Sequence, residues 1–130
     1  MKDLTYFIGK TNRIEKNVRE NETALVFGSG DITVFSTPHM IGLMENAALT
    51  LVEGLLDEGS TTVGIRVNVK HMAATPIGMK VGVEAKLIEV DRKRLVFNVT
   101  AWDEKEKIGE GIHERFIVNS KKFMGKALSK

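Results

Sequence analysis

Cysteine is absent from the 130 residues. That excludes disulfides, thiol nucleophiles and thiolate metal sites, and it fits a reducing compartment. Aromatic residues are scarce, with one Trp and one Tyr. No strand interleaves basic and aromatic side chains, so a stacking platform for single-stranded nucleic acid is missing. The net charge of +2 is too small to draw a polyanion by itself. No apolar run is long enough to span a bilayer, and Met1-Lys2-Asp3-Leu4-Thr5 has no apolar signal region behind its charge. A soluble cytoplasmic protein with no nucleic-acid or membrane partner is therefore expected. Nucleophile elbows, Walker loops, dinucleotide fingerprints and zincin motifs are missing too. His39, His71 and His113 do not have the spacing of a ligand set, so neither metal nor cofactor is expected. Gly109-x-Gly111 lies inside a strand pattern and marks a bulge or a close backbone approach rather than a phosphate loop.

Hydrophobic residues make up 42% and charged residues 28% of the chain, ordinary values for one soluble domain with one core. The stretch that organises the rest runs from Thr37 to Asp57. Met40, Ile41, Met44, Ala47, Ala48, Leu51, Val52 and Leu55 recur at helical spacing. Thr37 reads as the N-cap and Pro38 as the first helical residue. The Asp57-Glu58-Gly59 run reads as the stop, so a helix over about 38–57 is predicted. Glu45 lies at the edge of the apolar stripe, beside Ile41, Val52 and Leu56. There it is either a partly desolvated carboxylate useful for chemistry or an edge glutamate that reaches water.

After the helix the period becomes two. Val63, Ile65, Val67, Val69 and His71 share one parity, which predicts a half-buried strand with His71 at its end, before the Pro76/Gly78 turn. Lys80–Val90, Leu95–Ala101 and Ile108–Asn119 follow as strands. Residues 12–20 read as a charged edge strand, Thr23–Phe27 as a short β-prone run, residues 1–11 as a loosely held arm, and 120–130 as a solvated basic tail. Short connections imply antiparallel neighbours. The expected fold is α+β: one long helix wrapped by a curved antiparallel sheet of five or six strands, with Leu51, Val63, Val67 and Phe97 in the core. His71 and Glu45 facing one pocket would supply acid–base chemistry near neutral pH. Helix-start N–H groups at Thr37 would suit an oxyanion. Thr37 and Glu45 are separated by about 12 Å of helical rise, so one site using both calls for a two-fold dimer.

Three stretches carry a resemblance: Val34-Phe-Ser-Thr-Pro-His-Met-Ile-Gly-Leu-Met-Glu-Asn-Ala-Ala48, Val69-Lys-His-Met-Ala-Ala-Thr-Pro-Ile-Gly78 and Ile108-Gly-Glu-Gly-Ile-His-Glu-Arg-Phe-Ile-Val118. In this order and spacing the chain resembles the hot-dog-fold thioesterases, in particular the fluoroacetyl-CoA thioesterase-like group. The resemblance implies a single hot-dog domain over 1–130, working as a homodimer or dimer of dimers with sites at the subunit interface. It implies hydrolysis of a small acyl-CoA or related thioester. It places the catalytic residues at Thr37, Glu45 and His71 and substrate-binding residues at Gly64 and Arg115. Pro38 stands where the group's best-known member has glycine and carries no N–H. Phe27-Gly-Ser-Gly-Asp31, the segment expected over the pocket, has little aromatic bulk, which points to an acyl group other than fluoroacetyl. The alternative is a non-catalytic acyl-CoA-binding or regulatory domain. A hydratase on the same fold would need an acid–base pair that the sequence does not show.

Overall fold

The computed structural model describes residues 1–130. The elements are β1 (Thr11–Asn17), α1 (Ala24–Phe27), α2 (Thr37–Val52), β2 (Ser60–His71), β3 (Lys80–Asp91), β4 (Arg94–Asp103), β5 (Lys107–Asn119) and α3 (Ser120–Leu128). The five strands form one antiparallel sheet in the order β1-β3-β4-β5-β2. α2 lies against one face. Met40, Met44, Ala47, Ala48, Leu51 and Val52 from the helix meet Val83, Ala85 and Leu87 of β3 and Phe97, Val99 and Ala101 of β4 in one core cluster. Each large side chain fully buried there contributes on the order of 1.5–3 kcal/mol. The expected α+β architecture and the placing of Leu51 and Phe97 in the core hold.

Several local expectations are corrected. The α-helix ends at Val52, and one tighter turn, Glu53–Leu55, completes it. Residues 24–27 are a single helical turn rather than a strand. Thr23 caps it by accepting from the Val26 N–H, and Gly28 ends it in the left-handed region. The N-terminal arm is tied down, with Leu4 buried and Thr5–Phe7 in a 3-10 turn. The basic tail is exposed but helical, started by Asn119, whose side chain accepts from the Lys122 N–H.

The largest correction lies in β2. The register against β5 shifts between Gly64 and Arg66, so Ile65 is an inserted bulge residue. A one-residue shift exchanges the faces of a strand. Val67, paired with His113 and through it with Phe97, faces α2, whereas Val63, paired with Phe116, faces away. Gly64 and Thr62 take the helix side before the bulge. Neither Val63 nor Val67 joins the core: Val63 faces away from α2, and Val67 on the edge strand stays 40% exposed, while Val69 further along β2 packs against the core.

Candidate active site

The start of α2 is capped by Ser36, one residue earlier than the sequence suggests. Ser36 Oγ accepts from the His39 N–H at 3.1 Å and lies 2.6 Å from His39 Nδ1. Pro38 has no N–H, and the N–H groups of His39 and Met40 are both taken by Ser36. The helix start therefore has few donors to offer an oxyanion. Thr37 becomes the first helical residue, and its hydroxyl is released from capping. It hydrogen-bonds His71 Nδ1 at 2.7 Å.

The chain around His71 is held from two sides. The Met72 N–H donates to the Ile108 carbonyl, and the Phe35 N–H donates to the Thr75 carbonyl. Val34 bridges Pro76. Thr75 is buried and donates its hydroxyl to Asp103 at 2.8 Å. These ties set the end of β2 against the start of α2. Burial pushes the His71 imidazole below its ordinary pKa, only partly opposed by the nearby backbone of Ala73. The ring is thus neutral at pH 7. Its Nε2 is buried and has no hydrogen-bond partner. A depression of about 240 Å³ opens beside it, lined by Thr37, His71, Met72, Ala73 and Ala74. A larger concavity of about 510 Å³ lies over the sheet around Asn68, Asn98, Glu110 and Ile112, and none of the five expected site residues lines it.

Glu45 belongs to a different cluster. Its carboxylate is 4.0 Å from Arg115 Nη1, with 42% of the side chain exposed. The charged neighbour, rather than an apolar wall alone, sets its surroundings. Gly64 passes beneath it. A Cβ at Gly64 would lie 2.9 Å from Glu45 Oε2, 3.2 Å from His113 Cε1 and 3.4 Å from Arg115 Nη1. Arg115 is buried and committed on every edge. Its Nε donates to Thr62 Oγ1 at 2.8 Å, its Nη2 to the Thr62 carbonyl at 2.8 Å, and its Nη1 to His113 Nε2 at 3.1 Å. Burial lowers the Arg115 pKa, and Glu45 pulls it back up.

The five expected residues therefore fall into two groups, Thr37 with His71 and Glu45 with Gly64 and Arg115. The helix residue that meets His71 is Thr37, not Glu45. His71 pairs with Gly109 on β5, and Gly64 with Arg115. Those partners stand six positions apart on β5, about 20 Å. Sequence reasoning missed Ser36, Thr62 and His113. His113 had a readable signal, because it lies two residues before Arg115 on the same strand and so shares its face.

Residues 18–121 match the family described as fluoroacetyl-CoA-specific thioesterase, FlK. The fluoroacetyl-CoA thioesterase of Streptantibioticus cattleyicolor is 40% identical over 97 residues, 75% of this chain and 70% of that protein. A solved structure of the fluoroacetyl-CoA thioesterase FlK superposes with a TM-score of 0.89 at 32% identity, covering 95% of this chain and 96% of that one. A hot-dog-like protein from Thermanaerovibrio acidaminovorans shares the fold at 23% identity, with a TM-score of 0.90 over 98% of this chain and 96% of its own. By sequence over most of its length and by fold, the chain belongs to the fluoroacetyl-CoA-specific thioesterase family and is a thioester hydrolase of the hot-dog fold.

Proposed function

We propose that the chain hydrolyses small acyl-CoA thioesters at a site that two copies build between them, with Thr37 and His71 from one and Glu45, Gly64 and Arg115 from the other. The observation that carries this reading is the separation of the two groups on a chain whose β2 edge is open. Pairing β2 with its own copy about a two-fold axis between Val67 and Asn68 would bring His71 opposite Gly64 of the second copy. Glu45 of the second copy, which sits over that glycine, would then approach the His71 ring. The depression beside Thr37 holds only about 240 Å³ and is lined by Met72, Ala73 and Ala74, which suits a short acyl group.

The chemistry follows from the hydrogen bonds. In this reading the Thr37 hydroxyl is the donor in its hydrogen bond with His71 Nδ1, so the imidazole carries its proton on Nε2. That N–H, buried and unpaired in the single chain, would stabilise the charge that grows on the thioester carbonyl oxygen once substrate is seated beside it. The Glu45 carboxylate takes a proton from water as the water oxygen bonds to the carbonyl carbon. Arg115 Nη1 lies 4.0 Å from that carboxylate and holds it in place. Collapse of the tetrahedral intermediate breaks the C–S bond, and the proton held by Glu45 passes to the departing sulfur. The products are the free acid and CoA.

A subunit-mixing experiment tests the shared site. His71→Ala and Glu45→Gln are prepared separately, and each should lose about 10²-fold or more in turnover. After subunit exchange in an equal mixture, half of the dimers are mixed, and each of these holds one wild-type pair of half-sites. Activity should recover to about a quarter of wild type. No recovery, with exchange confirmed by mass spectrometry, would place each site within one chain. Wild-type turnover by Glu45→Gln alone would remove Glu45 as the base.

A further inference from the structure

Outside the residues assigned so far, His113 is the most constrained polar side chain. It is 1% exposed and lies on the α2 side of β5, between Val67 of β2 and Phe97 of β4. The Phe97 ring stacks on it at 6.3 Å. Its Nδ1 is 2.8 Å from the Arg66 carbonyl oxygen, and its Nε2 is 3.1 Å from Arg115 Nη1. A carbonyl only accepts and a guanidinium only donates, so the proton sits on Nδ1 and the lone pair on Nε2. Burial pushes the imidazole below its ordinary pKa. The Arg66 carbonyl opposes this and Arg115 reinforces it.

Each bond has a distinct consequence. Arg66 is the first paired residue after the Ile65 bulge, so Nδ1–H pins the backbone that turns Gly64 toward α2. Nε2 receives the one Arg115 edge that Thr62 does not hold, and that same Nη1 is the edge facing Glu45. We propose that His113 is a positioning residue for the Glu45 half-site: its Nε2 fixes Arg115 Nη1 against the carboxylate, and its Nδ1–H fixes the bulge that lets Gly64 pass beneath. The role rests on the reading of Glu45 as the base. His113 touches no substrate.

Imidazole ¹⁵N spectra of the wild-type protein come first. The His113 ring should show the Nδ1–H tautomer, and the Nε2–H tautomer or a protonated ring at pH 7 would overturn the proposal. Two variants then divide its bonds. His113→Gln can offer an amide oxygen near the Nε2 position and keep Arg115 in place. His113→Asn can keep the donor to Arg66 but leaves Nη1 without an acceptor. His113→Asn should lower kcat by about tenfold or more while KM stays within about twofold. Its Arg115 Nη1 N–H signals should shift and exchange faster, while the N–H groups held by Thr62 stay protected. His113→Gln should hold kcat within about threefold and keep all of those signals protected. Equal losses in both variants that track a falling thermal midpoint would make His113 a plain core residue. Wild-type kcat in His113→Asn, with Glu45→Gln inactive, would overturn the positioning role alone. Wild-type kcat in Glu45→Gln would instead sink the catalytic reading and leave the tautomer result standing. If both variants fail to fold, the wild-type spectrum decides.

Discussion

A methyl group at Gly64 would meet the Glu45 carboxylate at 2.9 Å, closer than it meets any backbone atom. The carboxylate is the far end of a flexible, half-exposed side chain, so it would move rather than the strand. Turnover in Gly64→Ala should fall about 10²-fold, because a displacement near 1 Å is enough to spoil a reacting geometry. The thermal midpoint should fall as well, because the same methyl would press on the buried His113 ring at 3.2 Å, which has no solvent to yield into. A Gly64→Ala enzyme with wild-type kcat would show that the Glu45 position tolerates displacement and does not act on the reacting atoms. Glu45 itself shows what one residue's sequence context conveys. Helical spacing placed it at the stripe edge, and it stands there. The same spacing could not reveal Arg115, because that neighbour comes from a strand seventy residues further on.

At the scale of elements, periodicity made the helix and the long strands legible, because each buries one face against the other and so repeats at 3.6 or 2 residues. What it did not reveal lay at ends and irregularities. Ser36 and Thr37 are both good capping residues, and only the fold shows that Ser36 takes that role and leaves Thr37 to His71. The Ile65 bulge leaves no mark in the alternation of Val63, Ile65, Val67 and Val69, yet it turns Gly64 instead of Val63 toward the helix. Thr23–Phe27 carries β-prone residues, but a Thr cap before it and Gly28 after it close a helical turn. The cap assignment has its own test. Ser36→Ala removes the acceptor for His39 N–H and should cost about 1 kcal/mol, a fall of about 4 °C in the thermal midpoint for a chain of this size. Thr37→Ala should leave the midpoint nearly unchanged and lower turnover instead, because its hydroxyl bonds His71 and not the helix. A reversed pattern in calorimetry and thiol-release assays would return the cap to Thr37.

The whole molecule presents an unresolved balance along β2. Val67 faces the α2 side yet remains 40% exposed, and Ile65 beside it is 52% exposed. β2 closes one end of the sheet with no strand beyond it. An open edge with apolar side chains is a template for pairing, and an antiparallel copy about Val67–Asn68 is the pairing that would join the two half-sites. Val67→Lys probes this without touching a reacting group. In the isolated chain the lysine reaches water from an already exposed position, so the secondary structure by circular dichroism should stay as it is. At the axis the substitution sets two like charges against each other across the pairing, in addition to removing apolar contact. Light scattering at micromolar protein should then report a monomer, and turnover should fall about 10²-fold or more, because His71 and Glu45 would remain in separate half-sites. Raising the protein concentration should restore activity in step with the dimer fraction. A Val67→Lys monomer that hydrolyses acyl-CoA at the wild-type rate would show that one copy suffices, and the shared site would have to be abandoned.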